Sequence, residues 1–202
     1  VYKKSNDKIS LEFELKDGRY NGFFKEFYPG GSIKKEVNYE NGILQGYENN
    51  YFENGVMSET VNYNNGKFHG SRFVYWENGI VKEKNTFSNG VLVGNTTYYY
   101  SNGKIRKEIK FDSQGKKDGE WVHTYSDGTV IFKGSFSFGE PEGLHRVWSA
   151  EGIIVSSGKY KEGVKHGKWK FYDSEGVIKN IYKYKHGELI KVDGRKVQES
   201  KQ

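Results

Sequence analysis

The chain has no cysteine, two prolines, one methionine and one alanine among its 202 residues. Without cysteine there is no disulfide, no thiolate metal ligand and no cysteine nucleophile. With only six leucines as well, most of the apolar residues that favour helices are missing, which excludes a helical bundle before any pattern is read. No run of 18 apolar residues occurs, so no membrane-spanning helix is expected. The chain begins at Val1 rather than Met; the expectation drawn from this is an exported or envelope protein, with the cytoplasm as the alternative. What is abundant is glycine, at 26 positions, and aromatic side chains, with 16 Tyr, 13 Phe and 4 Trp. The apolar area for a core therefore comes in a few bulky units.

The glycines form a lattice. Gly22, Gly46, Gly70, Gly94, Gly119, Gly143 and Gly167 follow one another at steps of 24 residues, with a single step of 25. A second series opens at Gly18 and a third at Gly31, and the three together hold 22 of the 26 glycines. Many follow Asn or Asp, as in Asn41-Gly42, Asn65-Gly66 and Asp127-Gly128, pairs suited to the positive φ of tight hairpin turns. The expectation is two chain reversals per unit with all three series at turns, separated by strands of about eight residues rich in Tyr, Phe, Val, Ile and Thr.

Two columns mark the second strand of each unit. Ile33, Met57, Val81, Ile105, Val130, Ile154 and Ile178 stand two residues after the middle glycine, and Tyr39, Tyr63, Phe87, Phe111, Phe136, Tyr160 and Tyr184 stand eight after it. Both offsets are even, which places both columns on one face of a regular strand, read as the buried one. Odd offsets carry ten basic residues against Glu36 and Glu108. Lys34, Lys82, Lys84, Arg106 and Lys110 are the candidate binding residues on that opposite face. On the first strand, Phe27, Tyr51, Tyr75 and Tyr99 are each followed by a further aromatic residue, so an aromatic points to each side of the sheet.

The unit Gly167-Lys168-Trp169-Lys170-Phe171-Tyr172-Asp173-Ser174-Glu175-Gly176, with Ile178 and Tyr184 after it, resembles the bacterial variant of the MORN repeat, and the array resembles that of the YwqK-type antitoxin family. The resemblance implies an all-β fold: an elongated antiparallel β-hairpin meander, a single twisted sheet of about 14–15 short strands. It implies a leader strand at 1–16, seven repeats in one domain at 17–187 and an end strand with a polar tail at 188–202. Choline-binding repeats, which also combine Gly with Trp and Tyr, are disfavoured by the 24-residue period. The kinase label given to some relatives has no support in a chain that is all repeat.

No catalytic, cofactor or metal site is expected. Gly167-Lys168 and Gly158-Lys159 are followed by Trp169 and Tyr160, not by the hydroxyl residue a phosphate loop needs. Of the five histidines, His69, His123, His145, His166 and His186, the first and fourth occupy one repeat position, and His123 and His145 have no acidic partner at matching spacing. The functional expectation is a non-enzymatic scaffold for protein–protein interaction, in its finer form antitoxin-like. The alternative is a surface protein binding anionic lipid headgroups or acidic glycan through the basic face. Nucleic acid is disfavoured, since no recognition helix is available, and the chain is expected as a monomer or an edge-paired dimer.

Overall fold

The structure, a computed structural model, describes residues 1–5 and 8–196. The polar tail from residue 197 lies outside the described residues. The protein is all-β, an antiparallel meander of short strands. Two compact units divide it, Val1–Gly103 with Ser113–Gly115 and Lys104–Asp112 with the chain from Lys116 onward.

The first unit holds β1 (Tyr2–Ser5), β2 (Lys8–Lys16), β3 (Arg19–Phe27), β4 (Ile33–Glu40), β5 (Ile43–Leu44), β6 (Gly46–Tyr51), β7 (Met57–Asn64), β8 (Lys67–Tyr75), β9 (Val81–Ser88) and β10 (Val91–Tyr99). The second holds β11 (Ile105–Phe111), β12 (Lys117–Thr124), β13 (Val130–Ser137), β14 (Glu140–Trp148), β15 (Ile154–Lys161), β16 (Val164–Tyr172), β17 (Ile178–Lys185), β18 (Glu188–Val192) and β19 (Arg195–Lys196). These exceed the expected strand number in part because β1 and β19 extend the ends and β5 and β6 are one strand broken at Gln45.

Two turn types alternate. At one end, pairs such as Asn41-Gly42, Asn65-Gly66 and Asn89-Gly90 have positive φ at both residues, the two-residue turn whose twist matches its strands. At the other, three-residue loops close as Gly55 N–H donates to Phe52 O and Phe52 N–H to Val56 O. Several turn glycines also lie under a side chain of the preceding repeat. A Cβ on Gly66 would stand 3.5 Å from Ile43 Cγ2, and one on Gly176 3.5 Å from Ile153 Cγ2. The period is thus fixed by packing between repeats as well as by turn geometry.

The Gly22 series departs from expectation. Gly22, Gly70, Gly94, Gly119, Gly143 and Gly167 lie inside strands and Gly46 opens one. All have positive φ, and the ladder slips there: pairing passes from Leu15↔Tyr20 to Phe13↔Phe24, so three residues around Gly22 oppose Glu14 alone. These are bulges, not turns. Because two extra residues are inserted, the faces are kept.

A second bulge does change them. Pairing steps from Glu26↔Lys35 to Phe27↔Ile33, from Asn50↔Glu59 to Tyr51↔Met57, and from Val74↔Glu83 to Tyr75↔Val81. One extra residue, Lys34, Ser58 or Lys82, reverses the alternation. Ile33, Met57 and Val81 therefore share a face with Phe27, Tyr51 and Tyr75, opposite to Tyr39, Tyr63 and Phe87. The two columns expected on one face lie on different faces.

The core lies on the face of Tyr39 and Tyr63. The deepest first-unit positions are Thr96, Val61, Asn85, Phe13 and Val37. In the second unit this face is a ring ladder: Trp121–Phe136 at 5.2 Å, Phe136–His145 at 5.8 Å, His145–Tyr160 at 4.7 Å and Tyr160–Trp169 at 5.1 Å. Contacts of this kind contribute about 0.5–1.5 kcal/mol each beyond their buried area.

Candidate binding faces

The five basic residues singled out by sequence divide between the units, Lys34, Lys82 and Lys84 in the first and Arg106 and Lys110 in the second. Lys34, at a bulge, is 2.7 Å from Glu26 Oε1, and that carboxylate raises its pKa. Lys82 and Lys84 share β9, the first with its ammonium 4.5 Å from the Trp76 ring centroid and the second 5.8 Å from that of Phe73. Trp76, Tyr75, Phe52 and Lys82 line a shallow groove of 460 Å³. Arg106 and Lys110 belong to β11 in the other unit. Lys110 lies across the backbone at Gly119, its Cδ 3.3 Å from where a Cβ would stand.

Sequence reasoning missed the charges on the core face. In the first unit they alternate in sign. Lys35 Nζ is 2.9 Å from Glu48 Oε1; Arg72 reaches Glu59 at 2.5 Å and Glu83 at 3.3 Å. Asn50 donates to Glu48 at 3.0 Å and Asn85 to Glu83 at 2.5 Å. Burial together with the Glu48 carboxylate pushes the nearby Tyr63 phenol up to about 12. This network is internally matched and leaves little charge for a ligand.

The equivalent face of the second unit gathers charges of one sign. Lys107 and Lys117 both stand over the Trp121 ring, at 4.8 and 4.7 Å, and Lys117 is also 5.1 Å from the Phe136 centroid. Lys165 repeats the arrangement over Trp169 at 4.7 Å and Tyr184 at 5.1 Å. Burial, then Lys117 and Arg106, hold Lys107 below the usual lysine pKa. His123, paired across the ladder with Lys107, is held below its ordinary value by burial and by Lys107 and Arg106. The signal was legible as Lys at the slot of Tyr20 and Phe68, two residues before Gly119 and Gly167, but only the pairing shows that these lysines cover the rings.

At one end of this row is Phe138, in the tight turn joining β13 and β14. Its φ is 52° and its side chain is 75% exposed. The following residue, Gly139, donates its N–H to Lys117 O at 2.9 Å, which seats the turn beside the first cation of the row. Among the described residues no group of three or more His, Asp or Glu is placed to hold a metal ion.

Five stretches, residues 20–41, 44–65, 68–89, 92–113 and 165–186, match the family model described as the MORN repeat variant, and together they make up more than half of the chain. No curated protein matches it. Between the fourth and fifth matched stretches the hairpins of β12 to β15 keep the same pairing scheme. They carry Phe138 at a turn slot where Asn stands in the first unit, and Gly134 and Gly158 in the core column.

Proposed function

This chain belongs to the MORN repeat variant family, whose members are commonly protein- or membrane-binding repeat scaffolds and not typically enzymes, and we propose that its own role is as a non-enzymatic scaffold for protein–protein interaction. The observation that carries the reading is Phe138. A left-handed backbone suits Asn and disfavours a bulky residue, and an exposed phenyl ring contributes nothing to the core. A ring held out at a strained turn fits a contact with another macromolecule. The resemblance to the YwqK-type family supports the finer reading that the partner is a toxin.

The test is capture of proteins from the source cells by the immobilised chain and by its Phe138→Asn variant. A partner retained by the native chain and released by the variant, with the variant still folded, supports the proposal. Equal retention by both overturns it. The finer reading then requires that the captured protein arrest growth when expressed alone and not when expressed with this chain.

A second reading has its own observation, the lysines Lys82 and Lys84 seated on Trp76 and Phe73. These two would bind anionic lipid headgroups or acidic glycan. Binding to anionic vesicles that weakens with salt and with Lys82→Glu supports it; salt-independent binding does not.

A further inference from the structure

We propose that the face of β14 to β18 opposite the core is a binding site for a linear polyuronic glycan, a chain of pyranose rings that each carry a carboxylate. Register assembles the site. Arg146 on β14 lies across from Ser157, which lies across from Lys170, while Lys168, Lys183 and Lys191 lie directly across from one another on β16, β17 and β18. Lys159 on β15 faces the same way, beside the bulge that holds Lys168. Arg146, Lys159, Lys168 and Lys183 are exposed. Lysines set directly opposite one another cost stability, and solubility asks only for mixed charge. The first unit has the mixed arrangement in the same band: Lys25 is 3.2 Å from Glu36, and Asn49, Thr60 and Phe73 follow across the ladder. Around the row of the second unit the acids are engaged elsewhere. Glu120 is 3.2 Å from Lys133, Glu142 accepts the Glu162 N–H at 2.9 Å, and Glu188 stands across from Lys185 near a turn. A ligand of negative charge is what such a row favours.

Spacing and rings favour a glycan over other polyanions. Successive lysines of the Lys168 row are one strand spacing apart, about 4.8 Å, and one linked pyranose is about that long. Side chains on one side of an extended acidic peptide recur every second residue, about 6.7 Å, and the phosphates of polyphosphate lie closer together than the strands. Trp148, two residues after Arg146, and Tyr172, two after Lys170, point to the same face, across from Ile154 and Ile178. These rings are one repeat apart, about 10 Å, so every second pyranose meets an aromatic face, which accepts the C–H groups of a sugar. Tyr172 Oη lies 3.2 Å from Ser157 Oγ, a pair of hydroxyls beside the row for those of the sugar. Both rings are half-buried, which suits stacking along the sheet better than insertion into a bilayer. The site goes beyond the second reading above: it shares the acidic-glycan chemistry and none of the residues.

The probe is an oligomer of galacturonic acid long enough to span β14 to β18, about 20 Å, titrated into the full chain by calorimetry. Its methyl ester, poly-glutamate, inorganic polyphosphate and vesicles of anionic phospholipid run in parallel. Binding that weakens with salt, is lost with the methyl ester and falls about tenfold or more in Lys183→Glu is the expected result. Should charge reversal unfold the chain, Lys183→Gln replaces it and still weakens binding. Trp148→Leu weakens the galacturonate and leaves any residual poly-glutamate binding unchanged. No galacturonate binding, equal binding of poly-glutamate or polyphosphate, tighter vesicle binding with the same variant dependence, or a Trp148→Leu chain that holds the galacturonate as tightly as the native one overturns the proposal. Lys82→Glu separates this site from the second reading. Galacturonate binding lost in Lys82→Glu and kept in Lys183→Glu would remove this inference and leave that reading intact, and the opposite pattern supports this site alone.

Discussion

The indole of Trp169 occupies the space that a side chain at Gly158 would need: a Cβ there would stand 2.1 Å from Trp169 Cδ2. Gly158 has no positive φ and sits at no turn. It is glycine because the ring, only 7% exposed and donating from Nε1 to Lys159 O at 3.1 Å, lies flat across its backbone. Gly134 stands in the same relation to His145, whose Nδ1 would be 2.7 Å from a Cβ. Gly158→Ala is therefore expected to cost about 1–3 kcal/mol, the range for forcing volume into a filled core. Urea unfolding measures it. Adding Trp169→Leu should recover part of the loss, because the two changes act on one space; strictly additive costs would show that the contact is not the cause.

A second expectation concerns asymmetry in the first-unit network. Arg72 serves two carboxylates, so Arg72→Met leaves Glu59 and Glu83, which flank β8 on either side, without their shared cation. A loss of about 2 kcal/mol is expected, between the values for exposed and buried pairs. Glu59→Gln leaves Arg72 with Glu83 and should cost about 0.5 kcal/mol. Equal losses in denaturant midpoint would contradict the shared-cation arrangement.

Much of this fold is readable from residue spacing, and the unreadable parts share one cause. Asn41-Gly42 and its equivalents declare a turn because the required φ is written in the residue type. Gly22 declares the same φ, yet the chain uses it for a bulge, and local sequence does not separate the two uses. The single-residue bulge at Lys34, Ser58 or Lys82 has no residue signature at all. It nevertheless reverses the face of Ile33, Met57 and Val81, since strand periodicity carries no memory of an inserted residue. The basic residues suffered accordingly: Lys34 and Lys82 occupy bulges, and the cations that cover the core rings, Lys107, Lys117 and Lys165, stand at even offsets or outside the second strand. Gly134 and Gly158, which interrupt the lattice, were legible as exceptions but not as space left for His145 and Trp169.

Alkaline pH should act through Tyr63. Its phenol is pushed from 10.0 up to about 12 by burial and by Glu48, so the folded chain holds this proton more tightly than the unfolded chain does. The stability linked to it is whole below about pH 10 and is lost as pH rises through about 12. Tyr63→Phe removes that component, and its stability should fall less steeply than the native chain's between about pH 10 and 12. Tyr39 and Tyr51, raised chiefly by burial, remain in both. Parallel pH dependences in urea unfolding would show that Tyr63 titrates like an exposed phenol.

Acid acts on His123 with the opposite sign. Its pKa is lowered by burial, Lys107 and Arg106, so the folded chain prefers the neutral ring. The linked stability is present above the ordinary value of 6.5 and is lost as pH falls below it toward the folded value. In Lys107→Gln one of the two neighbouring cations is gone, and the imidazole midpoint followed by NMR should move upward. An unchanged midpoint would mean that Lys107 has no part in holding the ring neutral.

Phe138→Asn should stabilise the chain. Asn41, Asn65 and Asn89 hold the equivalent turn position at φ of 50°, 49° and 49°, and Phe138 holds it at 52°. The backbone is the same and only the residue's tolerance of it differs. Asn reaches the left-handed region easily, whereas a larger side chain pays about 1 kcal/mol there. No buried contact is lost, since the ring is 75% exposed. The expected gain is about 0.5–1 kcal/mol, seen as a higher Tm and urea midpoint. The same substitution is the one expected to release a partner protein, so the two measurements make opposite demands on one residue. A variant both less stable and less able to bind would mean that Phe138 packs against its own chain, and the case for an exposed contact would fall with it.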